Sequence, residues 1–163
     1  EAGGPFERSH AVTSAEPMLQ ASLREADCDV FVSCASVSDF APVSVSDRKE
    51  KKADAPMTLT MAPTPDIAAT IGAKKRPGQI LVGFAAETRD HEVDARDKLK
   101  RKNLDLIVAN PVYREERGFA QDETSVTFYT RDAHEAFENV SKASVARILC
   151  EKIESMLAPG TIR

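Results

Sequence analysis

From Gly83 to Asn110 the chain reads GFAAETRDHEVDARDKLKRKNLDLIVAN. The apolar run that leads into it, Ile80 to Thr88, has strand length. A charged segment of helical character follows and ends in a basic cluster: Lys98, Lys100, Arg101 and Lys102. A second apolar run, Leu104 to Asn110, begins at once. The pattern predicts a strand–helix–strand unit with cations gathered near one helix end, an arrangement suited to a polyanionic ligand.

Working outward, the rest of the chain repeats this alternation. Glu16–Glu25 has Met18, Leu19 and Leu23 on one side and predicts a short amphipathic helix. Asp29–Ser36 predicts a buried parallel strand. Val37–Asp54 is polar, charged and Pro-containing, and predicts a long loop of the sort that is often functional. Met57–Met61 and Ser125–Thr130 both alternate in polarity. They are expected to form a small antiparallel patch outside a mainly parallel sheet. Pro65–Asp66 opens a helix reaching about Lys75, with Pro tolerated in the first turn and Asp favourable to the dipole. Gly118–Phe119 punctuates a loop, and a final helix is expected over Ala143–Met156. Alternating strands and helices give an α/β class with a mainly parallel sheet.

Composition sets outer bounds. The 163 residues are 42% apolar and carry a formal net charge of −4. That length suits one domain, and the charge gives no reason to expect a nucleic-acid binder. No apolar run could span a bilayer, and the first residues show no signal peptide. Cys28, Cys34 and Cys150 have no paired spacing and read as buried free thiols of a reducing cytosol. His10, His91 and His134 lack metal-ligand spacing. There is no Gly-rich dinucleotide loop, Walker loop or nucleophile elbow.

The chemistry-bearing candidates each admit two readings. Asp39 follows the Ser33-Cys34-Ala35 strand end, where α/β sheets bind ligands. It could hold a metal or a ligand hydroxyl, or satisfy a turn. The run Asp47-Arg-Lys-Glu-Lys-Lys52 is a solvated loop, or a flexible cation source able to close over a triphosphate. Pro65-Asp66-Ile67-Ala68 is an ordinary helix start, or one whose amides face phosphate or ribose oxygens. Phe84 suits a core strand or a base platform. Lys98 and Lys102, four apart, share a helix face and either complement the dipole or face an anion.

These segments together resemble the phosphopantothenate–cysteine ligase family of coenzyme A biosynthesis, as found in the C-terminal domain of the bifunctional protein of that pathway. GFAAET and the spacing K-x-x-x-K-N-x-D-L-I-x-A-N occur there together. Ser33-Cys-Ala-Ser-Val-Ser-Asp-Phe40 is similar to the family's A-A-V-A-D-[FY], and Pro65-Asp66-Ile67 to its P-D-I. Ten residues after Asp39 the family places a loop lysine, here Lys49. It commonly reads K-I-K-K there, where this chain has Lys49-Glu50-Lys51-Lys52. The family's K-N before P-D-I is Pro63-Thr64 in this chain. The resemblance runs from about Val12 through the last helix. The family's amino-terminal G-P-T-x-E and I-[TS]-N-x-S-S-G segments are not in it, so residues 1–163 are expected to be one nucleotide-binding ligase domain lacking its N-terminal portion.

The resemblance implies a Rossmann-like three-layer fold, CTP as co-substrate and Mg²⁺ as cofactor. The 4′-phosphopantothenate carboxylate attacks the α-phosphorus of CTP, giving an acyl-cytidylate and pyrophosphate. The amine of cysteine then displaces CMP. It assigns nucleotide contacts to Ser33, Cys34, Ala35, Asp39, Lys49, Pro65, Asp66, Ile67, Ala68, Phe84, Lys98 and Lys102. It gives Lys49 the catalytic role and Asp39 the metal. It further implies a cytoplasmic homodimer, fused to or associated with a phosphopantothenoylcysteine decarboxylase domain, with no nucleic-acid or membrane partner. Two other classes remain: a non-catalytic nucleotide-binding fragment of such a ligase, and an unrelated Rossmann-like nucleotide-binding protein.

Overall fold

The computed structural model of the chain describes residues 8–49, 56–87, 91–111 and 123–157. Within them the elements run α1 (Ala15–Arg24), β1 (Val30–Ser33), β2 (Phe40–Pro42), β3 (Met61–Pro63), α2 (Ile67–Ala73), β4 (Ile80–Glu87), α3 (His91–Arg101), β5 (Leu106–Pro111), β6 (Glu123–Tyr129), β7 (His134–Ser141) and α4 (Lys142–Met156). The main sheet has the order β1-β4-β5-β6-β7. Its first three strands are parallel, and β6 and β7 add antiparallel to β5.

Residue parity on the strands makes the layers. Leu81, Ala85, Ile107, Ala109 and Tyr129 face α1, α2 and α3 through Leu19, Ile67, Ile71, Ala95 and Leu99. The alternate residues Ile80, Val82, Leu106, Val108, Val126 and Phe128 face α4 through Val145 and Leu149. Period-two alternation on a sheet buried on both sides thus produces two cores and the three-layer α/β/α sandwich. The strand–helix–strand unit predicted around Gly83–Asn110 forms as β4–α3–β5.

The junction from α3 into β5 carries much of the geometry. Asn103 adopts a left-handed φ of 53°, a conformation Asn tolerates better than most residues. Its N–H donates to Lys100 O at 3.3 Å, and Leu104 N–H donates to Leu99 O at 2.9 Å. This is a Schellman cap with Asn where Gly is commoner. The Asn103 side chain donates to Gly72 O at 2.9 Å. Asp105 then accepts from Lys75 Nζ at 2.6 Å and from the Leu81 N–H at 2.7 Å.

Two expectations need correction. The small antiparallel patch exists, but β2 and β3 form it, pairing Phe40 with Pro63 and Pro42 with Met61. Residues 57–60 are not strand: the pairing ends at Pro42 and Met61, with one further bond from Val43 N–H to Thr60 O at 3.0 Å. Ser125–Thr130 belongs instead to the main sheet as part of β6. The stretch read as one long loop therefore contains β2. Strand β7 was not anticipated. It is polar apart from a few residues such as Phe137 and Val140, and its period is broken by a left-handed Asn139 and a register shift opposite Thr124 and Val126. Phe137 still reaches the core edge-on against Phe128, with ring centroids 5.6 Å apart. Gly118–Phe119 lies outside the described residues.

The cysteines also differ from expectation. Cys34 and Cys150 are exposed, and only Cys28 is half-buried. Burial pushes the Cys28 thiol up, against the lowering effect of its hydrogen bond with Gln79.

Candidate functional site

A cleft of about 330 Å³ opens beyond the carboxyl ends of β1 and the middle of β4. That is where parallel α/β sheets place ligands. Its wall comes from separated stretches: Ser33 and Ala35–Val37 with Asp39, then Thr64–Ala68, then Gly83–Ala86, then Lys98 of α3 with Lys102 just beyond its end, and Leu104 and Ile107 leading into and within β5.

The β2–β3 ribbon brings the first two stretches together. Thr64 N–H donates to Asp39 O at 2.9 Å, and the Thr64 hydroxyl donates to Ser38 O. These bonds set Asp39 beside Pro65 and Asp66, more than twenty residues away along the chain. Gly83 keeps the floor flush, since a Cβ there would lie 2.8 Å from Leu104 Cδ1.

The charged groups are arranged by α2 and α3. Asp66 is the N-cap of α2, and its Oδ1 accepts from Ala69 N–H at 3.0 Å. Its Oδ2 lies 3.0 Å from Lys102 Nζ and 3.7 Å from an Arg101 guanidinium nitrogen. Partial burial raises the Asp66 pKa, but the Ala69 N–H, Lys102 and Arg101 outweigh it and hold the carboxyl below the usual carboxylate range. The helix start therefore supplies its own anion, which narrows the expectation of free amides there. Lys98 and Lys102 both border the cleft, as their spacing on one helix face requires.

Most expected site residues converge here: Ser33, Ala35, Asp39, Pro65, Asp66, Ile67, Ala68, Phe84, Lys98 and Lys102. Phe84 belongs to neither core cluster and is 41% exposed. Two do not line the cleft. Cys34 sits exposed between two residues that do. Lys49 is exposed at the end of the stretch after β2. Lys51 and Lys52 lie outside the described residues. Thr64 and Ser36 line the cleft without having been anticipated. Nothing in their own identity marks them, and only the β2–β3 pairing would have pointed to Thr64. Conversely, Asn103 and Asp105, which fit the ligase spacing as well as the lysines do, serve the fold.

Among the described residues, no three His, Cys, Asp or Glu side chains cluster to hold a metal. With Asp66 committed to Ala69 and Lys102, Asp39 is the carboxylate available at the cleft. One carboxylate supplemented by phosphate oxygens and water is a usual way of holding Mg²⁺, so the donor set fits that ion. A larger groove, about 680 Å³, lies at the opposite end of the strands. Two of its cations are already spent on ion pairs, Lys75 with Asp105 and Arg76 with Asp29. The smaller cleft is the better candidate.

Residues 5–157 match the family described as the DNA/pantothenate metabolism flavoprotein C-terminal domain. The chain belongs to this family. It is 44% identical over 147 residues to the Coenzyme A biosynthesis bifunctional protein CoaBC of Bacillus subtilis (strain 168), an alignment covering 89% of this chain and 36% of that protein. It is 40% identical over 149 residues to the CoaBC of Vibrio vulnificus (strain YJ016), covering 90% and 37%. The crystal structure of the C-terminal domain of a CoaBC protein superposes with a TM-score of 0.70 at 33% identity, covering 89% of this chain and 65% of that one. The chain thus spans little more than a third of the length of these curated relatives, and its fold matches that of the CoaBC C-terminal domain. No helix among the described residues is long and apolar enough to cross a membrane.

Proposed function

We propose that this domain carries the ligase step of coenzyme A biosynthesis, the CTP-dependent joining of 4′-phosphopantothenate to cysteine. The observation that carries the reading is the convergence of Asp39, Asp66, Phe84, Lys98 and Lys102 on one cleft, in a chain of the family named above. In the first step a carboxylate oxygen of 4′-phosphopantothenate forms a bond to the α-phosphorus of CTP while the bond to pyrophosphate breaks. In the second, the amine of cysteine attacks the acyl carbon, loses a proton, and CMP leaves. The protein's contribution is positioning and charge neutralisation. Lys98 and Lys102 hold phosphate oxygens, the cleft floor excludes water from one side, and Phe84 offers a face to the base. Asp39 would hold Mg²⁺, which when bound offsets phosphate charge.

The test is made on the full-length protein. CTP with Mg²⁺ should raise the melting temperature more than ATP or NAD does. Added 4′-phosphopantothenate and cysteine should then release CMP and pyrophosphate in equal amounts. Equal shifts from all three nucleotides would remove cytidine selectivity. A CTP shift without turnover would select a non-catalytic nucleotide-binding role instead.

Lys49 is assigned to the charge that develops at the transferring phosphorus. A cation on an exposed stretch can reach the cleft during the reaction without lining it beforehand. Lys49→Ala should slow acyl-cytidylate formation by about ten- to a hundredfold while CTP affinity changes little. Unchanged single-turnover rates would take Lys49 out of the mechanism.

The domain is also proposed to pair with a second copy, and in its parent protein to adjoin a decarboxylase. The ribbon side presents Phe40 and Leu59, 55% and 56% exposed, and such apolar surface needs cover. Phe128, on a strand first expected at that surface, is 1% exposed in the main core and is no test of association. Leu59→Asp should convert dimer to monomer in light scattering. A monomeric mass for the unmodified protein at tens of micromolar would reject the pairing.

A further inference from the structure

The two oxygens of Asp66 have separate tasks. Oδ1 closes the first turn of α2 on Ala69, and Oδ2 takes the ammonium of Lys102 at 3.0 Å. The Lys102 backbone has little freedom to follow a ligand. It directly precedes the left-handed Asn103, and its carbonyl oxygen lies 2.0 Å from where a Cβ on Gly72 would sit. What can move is the side chain. A lysine that faces an anion cleft thus already has an anion, supplied by the protein and anchored to a helix start.

We propose that Asp66 is a built-in counter-ion: it holds Lys102 when no ligand is bound and yields it to an incoming phosphate, so that it sets how tightly the cleft keeps nucleotide and how readily it lets product go. The proposal rests on the nucleotide reading of the cleft. Each binding event exchanges one carboxylate for a phosphate oxygen at Lys102. Asp66 is not stranded by the exchange, because Arg101 stands 3.7 Å away and can take the freed oxygen. Arg101 also lies 3.5 Å from Asp97, so it can be shared between two carboxylates. Because the pair is partly exposed and screened, the exchange is worth about two- to fivefold in affinity rather than orders of magnitude.

Asp66→Asn separates the two tasks, since Asn caps a helix as well as Asp but carries no charge. Asp66→Ser does the same with a shorter side chain, should the first variant fold poorly. Affinities for CTP and for pyrophosphate are measured by calorimetry in wild type, Asp66→Asn, Lys102→Ala and the double variant, at low and high salt, and that for ATP in wild type. Asp66→Asn should bind both probes about two- to fivefold more tightly, with the gain shrinking as salt rises. The gain should vanish in the Lys102→Ala background, because the carboxylate acts through that lysine. A readout needing no ligand is the carboxyl-carbon titration of Asp66, which should move upward in Lys102→Ala. Weaker binding in Asp66→Asn would mean that the carboxylate contacts the ligand itself, and overturns the proposal. A gain that persists without Lys102 overturns it too, as simple repulsion. If pyrophosphate shows the full pattern while CTP is bound no better than ATP, the cytidine reading fails and the counter-ion stands. If neither probe binds the wild type, both fall.

Discussion

Gly72→Ala is expected to destabilise the protein by about 3 kcal/mol, at the upper end for an overpacked core position. Gly72 is a buried residue in α2, where alanine would ordinarily be the better helix former by about 1 kcal/mol. Here the added Cβ would meet the Lys102 carbonyl oxygen at 2.0 Å and its carbon at 3.0 Å, with Leu81 Cδ2 at 3.3 Å behind. Two of these three atoms are backbone and cannot rotate away. Relief requires α2 to lift from the end of α3, which also breaks the Asn103 amide bond to Gly72 O. Denaturant unfolding measures the loss. A melting midpoint equal to or above that of wild type would show that the helices are not in this contact in solution.

Asp105→Ala is expected to cost about as much, roughly 3 kcal/mol. One carboxylate serves Lys75, whose side chain is only 14% exposed, and the N–H of Leu81, a fully buried residue of β4. Removing it leaves a largely buried ammonium with only the Asn103 carbonyl at 3.2 Å, and a strand N–H without its acceptor. Lys75→Met tests the division of labour. It removes the charge that needs a partner and leaves Asp105 for Leu81, so it should cost clearly less than Asp105→Ala. Equal losses would mean that the ion pair, and not the strand contact, dominates. Neither variant touches a cleft residue, so residual folded protein should bind nucleotide as before.

The sequence stretch from Gly83 to Asn110 was legible because its signals are local and agree. Apolar runs of strand length flank a charged helical segment, and the observed β4, α3 and β5 follow within about two residues. The cleft residues were legible for a different reason, since motif spacing linked segments whose proximity no local rule supplies. What brings Asp39 to Asp66 is the β2–β3 ribbon, three residues a side with a proline in each strand, too short to show a period. Strand β7 was hidden by its polar composition and by the irregularity at Asn139. The ligase spacing K-x-x-x-K-N-x-D, read as one motif, turns out to mix two kinds of requirement. Lys98 and Lys102 face the cleft, whereas Asn103 and Asp105 turn the chain and tie β4, β5 and α2 together. A motif match by itself cannot tell these apart, because both kinds of residue are fixed in position by the same few residues of chain.

The sheet also acts as an insulator between two histories of change. The buried apolar part of the cleft lining, Ile67, Ala68, Ala85, Leu104 and Ile107, belongs to the core under α1, α2 and α3. The core under α4 shares no residue with that floor. A methyl group gained or lost at Val145 or Leu149 falls in the core that also holds Val82, Val108 and Phe128, on the face of the sheet away from that floor. Such substitutions change how long the molecule survives heating before they change what it holds. The α4 side can therefore drift, or be redesigned for robustness, with the chemistry left in place, whereas the α2–α3 side offers no such freedom: there the same few contacts support the fold and aim the lysines.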